Sequence, residues 1–288
     1  MPTPLPSPPA TAAPPAHYEN FPVASWLCPP ALRPPIAALY GFARTADDIA
    51  DEGDATPDAR IAELLAYRQD LYAAAAGRPV SGTWPAIFGP LAATIARWRL
   101  PVRLLDDLLD AFLQDVRKTR DREGYADRAE LLDYCRRAAN PVGRLLLHLY
   151  RVQGPEALAE SDAICSALQL VNFWQDLSVD IPRGRYYLSA ADRRAHGVPA
   201  ADLRALRQTP AATALIADCC GWARAEMLRG APLVHRIPGR AGWELRLVVQ
   251  GGLRILDRIE AMDHATLTTR PTVGARDAPA MLWRALRM

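Results

Sequence analysis

Residues 168–180 read Leu-Gln-Leu-Val-Asn-Phe-Trp-Gln-Asp-Leu-Ser-Val-Asp, and the fold of the chain is built around them. They include no Gly or Pro and predict a helix, in which residues three and four positions apart are neighbours. One face of this helix is polar and carries Gln169, Asn172, Asp176 and Asp180. Carboxylates buried among apolar side chains repel each other, so they require a cation. Oxygen ligands of this kind suit a hard divalent ion, although an isolated Asp-x-x-x-Asp is more often a solvated helix face.

The composition of the chain excludes several classes of protein. Half of its 288 residues are hydrophobic, which is enough for a large core, and a formal charge of +2 predicts no nucleic-acid partner. Five cysteines without a Cys-x-x-Cys pair or a secretory signal favour a reduced, cytoplasmic setting. The scattered histidines form no zinc motif. No run reaches the roughly 18 apolar residues of a transmembrane helix.

The chain is predicted to form one all-α domain behind a proline-rich tail. Residues 1–16 contain seven prolines and no charged side chain, which predicts a disordered tail before an ordered domain over 17–288. No segment has the alternation of a β-strand. Helices are expected near residues 36–51, 58–76, 85–98, 101–120, 129–152, 156–180, 200–207, 210–230, 238–262 and 274–286. Pro141 should kink one of these helices, and Gln250-Gly251-Gly252 should interrupt another.

A second acidic helix is predicted over residues 36–51. Its broad polar face carries Tyr40, Arg44, Asp47, Asp48 and Asp51. The pair Asp47 and Asp51 repeats the spacing of Asp176 and Asp180, and an arginine precedes it by one turn.

A third acidic string, Asp106-Asp107-Leu-Leu-Asp110, is interpreted as unrelated to function. The surrounding leucines supply the apolar stripe of that helix and should turn Asp106 and Asp110 toward solvent. Asp115 falls nearer the apolar side, so a functional and a surface position are equally open for it.

Two acidic helices facing each other across a bundle would hold divalent ions between them. Mg²⁺ usually takes a few protein carboxylates and fills its remaining positions with water and substrate phosphates, so the predicted substrate is a diphosphate. The loop Arg183-Gly-Arg-Tyr-Tyr-Leu follows the second motif, and its arginines either neutralise the acids or clamp an anion. An apolar cavity behind the ions would favour ionisation of the substrate to a carbocation.

These residues, in this order, resemble the squalene/phytoene synthase family of class I isoprenoid synthases over residues 17 to about 265. The likeness rests on His17…Phe21, Tyr40…Asp51, Tyr134…Gly143, Gln169…Asp180 and Arg183-Gly-Arg-Tyr-Tyr-Leu. It implies a single-domain helical bundle around a central cavity, with three Mg²⁺ ions bound together with diphosphate.

The resemblance also assigns roles to single residues. The ion ligands and further catalytic groups are expected to be Asp47, Asp51, Asn172, Asp176, Asp180 and Tyr40. Substrate contacts are expected at His17, Asn20, Phe21, Arg44, Asp115, Tyr134, Asn140, Gly143, Gln169, Gln175, Arg185 and Tyr187.

Departures from the general family pattern narrow the expected reaction. Gln175 stands where members that join two substrates head to head usually carry arginine, and Asn140-Pro141 replaces Gly-Thr in the kinked helix. The sequences around His17 and Asn172 resemble the hydroxysqualene synthase branch of bacterial hopanoid biosynthesis. This implies that presqualene diphosphate, handed over from a presqualene diphosphate synthase, is converted to hydroxysqualene without NADPH. Asn20 or Asn140 would hold the attacking water.

Two alternatives remain open at this point. One is condensation of two farnesyl diphosphates to presqualene diphosphate, squalene or a carotenoid precursor. The other is a non-catalytic assembly factor of the same fold, which complete acidic motifs argue against. We expect a cytoplasmic protein that contacts the inner membrane peripherally, because its substrate is very apolar.

Overall fold

The computed structural model describes residues 28–288, and these residues form an all-α bundle, as predicted. The motif residues His17, Asn20 and Phe21 and the predicted tail lie outside the described residues, so the boundary at residue 17 stays a prediction. The helices are α1 (Arg33–Asp51), α2 (Pro57–Ala75), α3 (Pro85–Trp98), α4 (Val102–Asp121), α5 (Arg128–Ala138), α6 (Asn140–Tyr150), α7 (Pro155–Gln175), α8 (Leu177–Asp180), α9 (Ala190–Ala195), α10 (Ala200–Arg204), α11 (Pro210–Gly230), α12 (Gly239–Ala261) and α13 (Ala278–Ala285).

The helix that carries the second acidic motif runs through the middle of the bundle. α7 contacts α5, α6, α11 and α12, whereas α1 packs against α2, α3 and α4. Leu170, Val171, Phe173 and Trp174 of α7 are all buried, so the apolar residues of the quoted stretch form core contacts. Burial of this apolar surface fixes the direction of the polar face of α7.

Two predicted helices are each divided in the structure. The expected helix over 129–152 breaks at Ala139 (φ −121°, ψ −46°), and Pro141 lies in the first turn of α6, where its missing N–H leaves no hydrogen bond unmade. The expected helix over 156–180 ends at Gln175, because Asp176 leaves the helical conformation (φ −101°, ψ 12°) before the short helix α8.

The predicted interruption at Gln250-Gly251-Gly252 is wrong, because α12 is continuous from Gly239 to Ala261. A Cβ at Gly252 would lie 2.6 Å from Cε of Met227 and 3.1 Å from Cδ2 of Leu168. Glycine at this position therefore allows α12 to pack closely against α11 and α7, and it does not end the helix.

The solvent-facing position predicted for Asp106 is also wrong. Asp106 and Asp107 are buried on α4, and Nε of Arg68 in α2 lies 3.0 Å from Oδ1 of Asp106. Arg68 also reaches Asp110 at 2.5 Å, and Arg103 lies 2.9 Å from Asp107. This acidic string is therefore neutralised by arginines and joins α2 to α4, which agrees with its interpretation as structural.

None of the helices in residues 28–288 is long and apolar enough to span a bilayer.

Candidate active site

A cavity of about 450 Å³ lies between α1, α6, α7 and α12. This volume falls within the usual range of small-molecule sites, which is about 300–1,000 Å³. Most of its wall is apolar and includes Phe112, Val142, Leu146, Ile164, Leu168 and Leu245. Arg44 and Asp47 of α1 and Asn172 of α7 also line it, so both acidic helices contribute to one cavity.

Arg185 joins the two acidic motifs. Its Nη2 lies 2.5 Å from Oδ1 of Asp51 in α1, and its Nη1 lies 3.7 Å from Oδ1 of Asp180 in α8. Gly184 (φ +83°) has the left-handed conformation that favours glycine, and it reverses the chain just before Arg185. Because one guanidinium contacts carboxylates from both motifs, the two motifs face each other.

Arg44 holds the acidic end of α1. Its guanidinium lies 3.1 Å from Asp47, 2.5 Å from Asp48 and 2.6 Å from Glu52. Tyr40, one turn earlier, lines the cavity beside Arg44. The polar face predicted for this helix is therefore the face that meets the cavity.

Asp176 has a partner that the sequence analysis missed. Arg270 donates from Nε to Oδ1 of Asp176 at 2.5 Å and from Nη2 to Oδ2 at 3.2 Å. Asn172 donates to the same Oδ2 at 3.2 Å. Arg270 lies 94 residues beyond Asp176 and outside any recognised motif, so only the three-dimensional contact identifies it.

Two carboxyl groups of the motifs, those of Asp47 and Asp180, lie in surroundings that disfavour their ionised form. Burial raises the pKa of Asp47 to about 6, and the neighbouring Asp51 adds to the rise. Burial also raises the pKa of Asp180 to about 6; Arg185 opposes this shift, whereas Asp176 and Asp51 increase it. Carboxylates that hinder each other's ionisation are favourable ligands for a cation.

A third carboxyl lies behind these two motifs. Tyr134 donates a short hydrogen bond from its hydroxyl to Oδ2 of Asp115. Burial raises the pKa of Asp115 to about 7 despite that hydrogen bond and the nearby Arg185 charge. Tyr187 stacks on Phe173 with 3.7 Å between the ring centroids, and its ring also neighbours Tyr134. Asp115 thus points inward, near Arg185, Asp51 and Asp180, and not onto the helix surface.

The structure separates the predicted substrate residues into two groups. Tyr40, Arg44, Gly143 and Gln169 line the cavity. The lining does not include Tyr134, Tyr187, Asp115 and Arg185, which form a second group linked through the contacts described above.

The cavity lining does not include Asn140 or Gln175, which were predicted to contact substrate. Asn140 is buried, and its Oδ1 accepts a hydrogen bond of 2.9 Å from Ser166, whereas neighbouring residues of α6 line the cavity. Gln175 is buried and donates from Nε2 to the carbonyl of Pro271 at 2.7 Å. In both residues the side-chain amide is thus bound by another group of the protein.

The donor set fits magnesium better than a metal that needs a preformed protein cage. Within residues 28–288 no three His, Cys, Asp or Glu side chains converge closely enough to hold an ion by themselves. Asp47 and Asn172 line the cavity instead, Asn172 donates to Asp176, and Arg185 contacts both Asp51 and Asp180. Mg²⁺ is commonly held by one or two carboxylates together with water and substrate phosphates, which matches this arrangement.

Comparison with known proteins identifies the class to which this fold and site belong. The sequence profile of the squalene/phytoene synthase family matches residues 15–277. The chain belongs to this family, whose members are enzymes of isoprenoid biosynthesis that act on isoprenoid diphosphates.

Individual relatives extend the comparison. The chain is 34% identical to a hydroxysqualene synthase of Rhodopseudomonas palustris over 85% of this chain and 80% of that protein. It is 33% identical to a phytoene synthase of Thermus thermophilus over 94% of this chain and 89% of that protein. A crystal structure of squalene synthase HpnC from Alicyclobacillus acidocaldarius superposes with a TM-score of 0.77 at 36% identity, covering 86% of this chain and 90% of that one.

Proposed function

We propose that the protein converts presqualene diphosphate and water to hydroxysqualene and diphosphate in hopanoid biosynthesis. The observation that carries this proposal is the contact of Arg185 with both Asp51 and Asp180 beside an apolar cavity. This arrangement joins a site for a charged diphosphate to a site for a long hydrocarbon.

The residues around the opening would bind the diphosphate end of the substrate. The family resemblance implies three Mg²⁺ ions, which would be held by the four motif aspartates and Asn172. These ions would neutralise the charge that develops on the leaving diphosphate. Arg44 and Arg185 lie against the same carboxylates and provide further positive charge. Tyr40 lines the cavity next to Arg44, where it can orient the diphosphate.

The apolar wall would protect the hydrocarbon part during reaction. Loss of diphosphate leaves a cyclopropylcarbinyl cation, whose rearrangement opens the three-membered ring. Phe112, Leu146 and Leu168 expose only hydrocarbon groups to the cavity, so they keep bulk water away from that cation.

Capture of one water requires a polar group on this otherwise apolar wall. Asn140 is turned away from the cavity and bound by Ser166, so we assign the role to Gln169, which lines the cavity one turn before Asn172. Gln169→Leu should lower the fraction of alcohol among the products at least severalfold, since the water loses its hydrogen-bond partner. Asn140→Ala should leave this fraction unchanged, and the opposite pattern would reverse the assignment.

Two features favour one diphosphate per reaction over two. The cavity borders one acidic opening, and Gln175 replaces the additional arginine that condensing members usually carry. The hydroxysqualene synthases of Rhodopseudomonas palustris and Sinorhizobium fredii, each 34% identical to this chain, support the same choice. The proposed reaction involves no reduction, so NADPH is not required.

Product analysis tests the proposal directly. The full chain is incubated with presqualene diphosphate or farnesyl diphosphate, with Mg²⁺ or with EDTA, and the extracted lipids are analysed by mass spectrometry. Hydroxysqualene should form only from presqualene diphosphate in the presence of Mg²⁺. Asp176→Asn should abolish the product, whereas Asp106→Asn, which changes an aspartate in the structural string on α4, should retain it.

A second candidate is condensation of two farnesyl diphosphates. It is favoured by the phytoene synthase of Thermus thermophilus, which covers 94% of this chain. Formation of presqualene diphosphate, squalene or phytoene from farnesyl diphosphate in the same assay would establish it. Failure of both diphosphates to bind in the presence of Mg²⁺ would instead support the non-catalytic assembly factor.

We further propose that the protein contacts the cytoplasmic face of the inner membrane and receives its substrate there from a presqualene diphosphate synthase. Trp243 on α12 and Trp283 on α13 are exposed, and Arg246 and Arg287 lie over their rings. Exposed tryptophans accompanied by arginines are typical of surfaces that bind anionic bilayers. Flotation with anionic and neutral vesicles should reveal binding that Trp243→Ser and Trp283→Ser together abolish.

A further inference from the structure

A second cavity lies between the end of α4, α8, α9 and α10. Its volume is about 450 Å³, which falls within the usual range of small-molecule sites. No residue from 28 to 288 lines both this cavity and the substrate cavity. The diphosphate-binding function proposed above therefore leaves the second cavity unexplained.

Positive charge predominates on the wall of the second cavity. Of its two acidic side chains, Glu130 is engaged: one oxygen accepts a hydrogen bond of 2.9 Å from Lys118, and the other accepts one of 2.6 Å from the amide of Ala126. Among the described residues of the wall, this leaves a single carboxylate, that of the exposed Glu123, to offset three arginines. These arginines are Arg122, Arg193 and Arg204.

None of the three arginines forms an ion pair with any residue from 28 to 288. The acids close to them in the sequence are engaged elsewhere. Asp192 lies 2.9 Å from Nε of Arg128. Asp202 lies 2.9 Å from Nη1 of Arg207. The three guanidinium groups therefore keep hydrogen-bond donors available for a ligand.

Arg193 shows the effect of this uncompensated charge. Its side chain is partly buried at the wall of the cavity, and burial together with the positive charges of Arg194 and Arg204 lowers its pKa. Surroundings of this kind disfavour the charged form of a guanidinium. An anion bound beside Arg193 and Arg204 would offset both the burial and the repulsion.

The remainder of the wall suits an apolar or aromatic group. Tyr125 and Tyr187 line it and are buried, and their rings stack with 5.9 Å between the centroids. Leu177, Leu188 and Leu203 also line it and are buried. Side chains that are already packed lose little freedom when a ligand binds, so this wall is preorganised.

We propose that the second cavity binds a small phosphate monoester that carries an apolar or aromatic group. The four basic and two acidic side chains of the wall leave a formal excess of +2. A phosphate monoester carries about two negative charges near neutral pH, which matches this excess better than the single charge of a carboxylate. Guanidinium groups also match the paired oxygens of a phosphate, and the rings and leucines of the wall would receive the attached group.

Binding at this site should not require Mg²⁺, because arginines supply the charge that receives the phosphate. Isothermal titration of the full chain with phenyl phosphate in EDTA tests this expectation. Wild type should bind one phenyl phosphate, and Arg193→Gln and Arg204→Gln should each weaken binding roughly tenfold, as expected for loss of a charge-assisted hydrogen bond. Inorganic phosphate lacks the ring and benzoate lacks the second charge, so both should bind more weakly than phenyl phosphate.

Arg194→Gln is the matched control. Arg194 is exposed and follows Arg193 in the sequence, but it does not line the cavity. At about 0.15 M salt, which screens charges that make no direct contact, this variant should keep the wild-type affinity. If Arg193→Gln does not fold, Arg204→Gln changes an exposed residue at the end of α10 and tests the same prediction.

Unchanged affinity in both Arg193→Gln and Arg204→Gln, an equal loss in Arg194→Gln, or no binding by wild type would overturn the site. Binding only in the presence of Mg²⁺ would move the ligand to the acidic motifs and would overturn it as well. Equal affinities for phenyl phosphate and either simpler anion would overturn the assigned class of ligand. The proposed function would stand in each case, because product analysis tests it separately.

Discussion

Replacement of Gly143 by alanine tests how α6 positions the helix that carries the second acidic motif. A Cβ at residue 143 would lie 2.4 Å from Oγ of Ser161 and 2.5 Å from Sγ of Cys165, both on α7. Such distances are far below normal van der Waals contact. Both atoms end side chains and Ser161 is buried, so the methyl group requires these side chains or the two helices to shift within a close-packed core.

The expected destabilisation follows from two opposing terms. Overpacking of a tight core costs about 1–3 kcal/mol, whereas alanine in a helix gains up to about 1 kcal/mol over glycine. Gly143→Ala should therefore lower the free energy of unfolding by up to about 2 kcal/mol, once the propensity gain is subtracted. Gly221→Ala on α11 is the matched control, because its Cβ would meet no atom within 4 Å, and this variant should be unchanged or slightly stabilised.

Urea unfolding and steady-state turnover of the two variants measure both consequences. Gly143→Ala should also lower kcat/KM, because a shift of α7 at Cys165 moves Gln169 and Asn172 on the following turns. Ser161→Ala removes the hydroxyl that lies closest to the new methyl group. The double variant Gly143→Ala/Ser161→Ala should therefore regain part of both losses. Equal stability of Gly143→Ala and Gly221→Ala would refute the reasoning, since it would mean that the methyl group at residue 143 is accommodated at no cost.

The remaining predictions concern the carboxyl groups. Burial raises the pKa of Asp115 to about 7 and those of Asp47 and Asp180 to about 6, so the folded protein binds more protons than the unfolded chain between about pH 4 and 7. In EDTA these groups should therefore lower stability as the pH rises through that range, by at most about 1.4 kcal/mol per pH unit for each of Asp115 and Asp180. The contribution of Asp47 should be smaller, because its side chain is 39% exposed and solvent screens its charge. Asp115→Asn should remove its share of this decline, and an unchanged slope in urea unfolding would contradict the assignment. Asp106→Asn should lower the unfolding midpoint by weakening the pair with Arg68 while kcat stays at the wild-type value; a loss of turnover without a loss of stability would move this acid into the site.

The residues near the first acidic motif were predictable because the geometry there is local. Tyr40, Arg44 and Asp47 are three and four positions apart, so a regular helix alone brings them to one face, and the structure retains that helix. The second motif was less regular. Asp176 leaves the helix, and this break changes the direction of Asp180 relative to Asn172, which no period of 3.6 residues predicts.

Buried positions of single polar side chains were not predictable in the same way. Gln175 precedes Asp176 in the sequence, yet its amide binds Pro271, and Asp106 is buried against Arg68 although leucines on both sides suggested exposure. Each outcome depends on a partner from a distant segment. A sequence pattern gives the side on which a residue lies but not the donor or acceptor that meets it there.

The sequence by itself determined the all-α class, the two acidic helices and the family, because helix periodicity and motif order are properties of the chain. Only the tertiary structure decided that one arginine joins the two motifs and that Arg270 holds Asp176. The physical reason is that contacts between distant segments form when apolar surfaces are buried together, and the direction of each charged side chain is fixed by that packing.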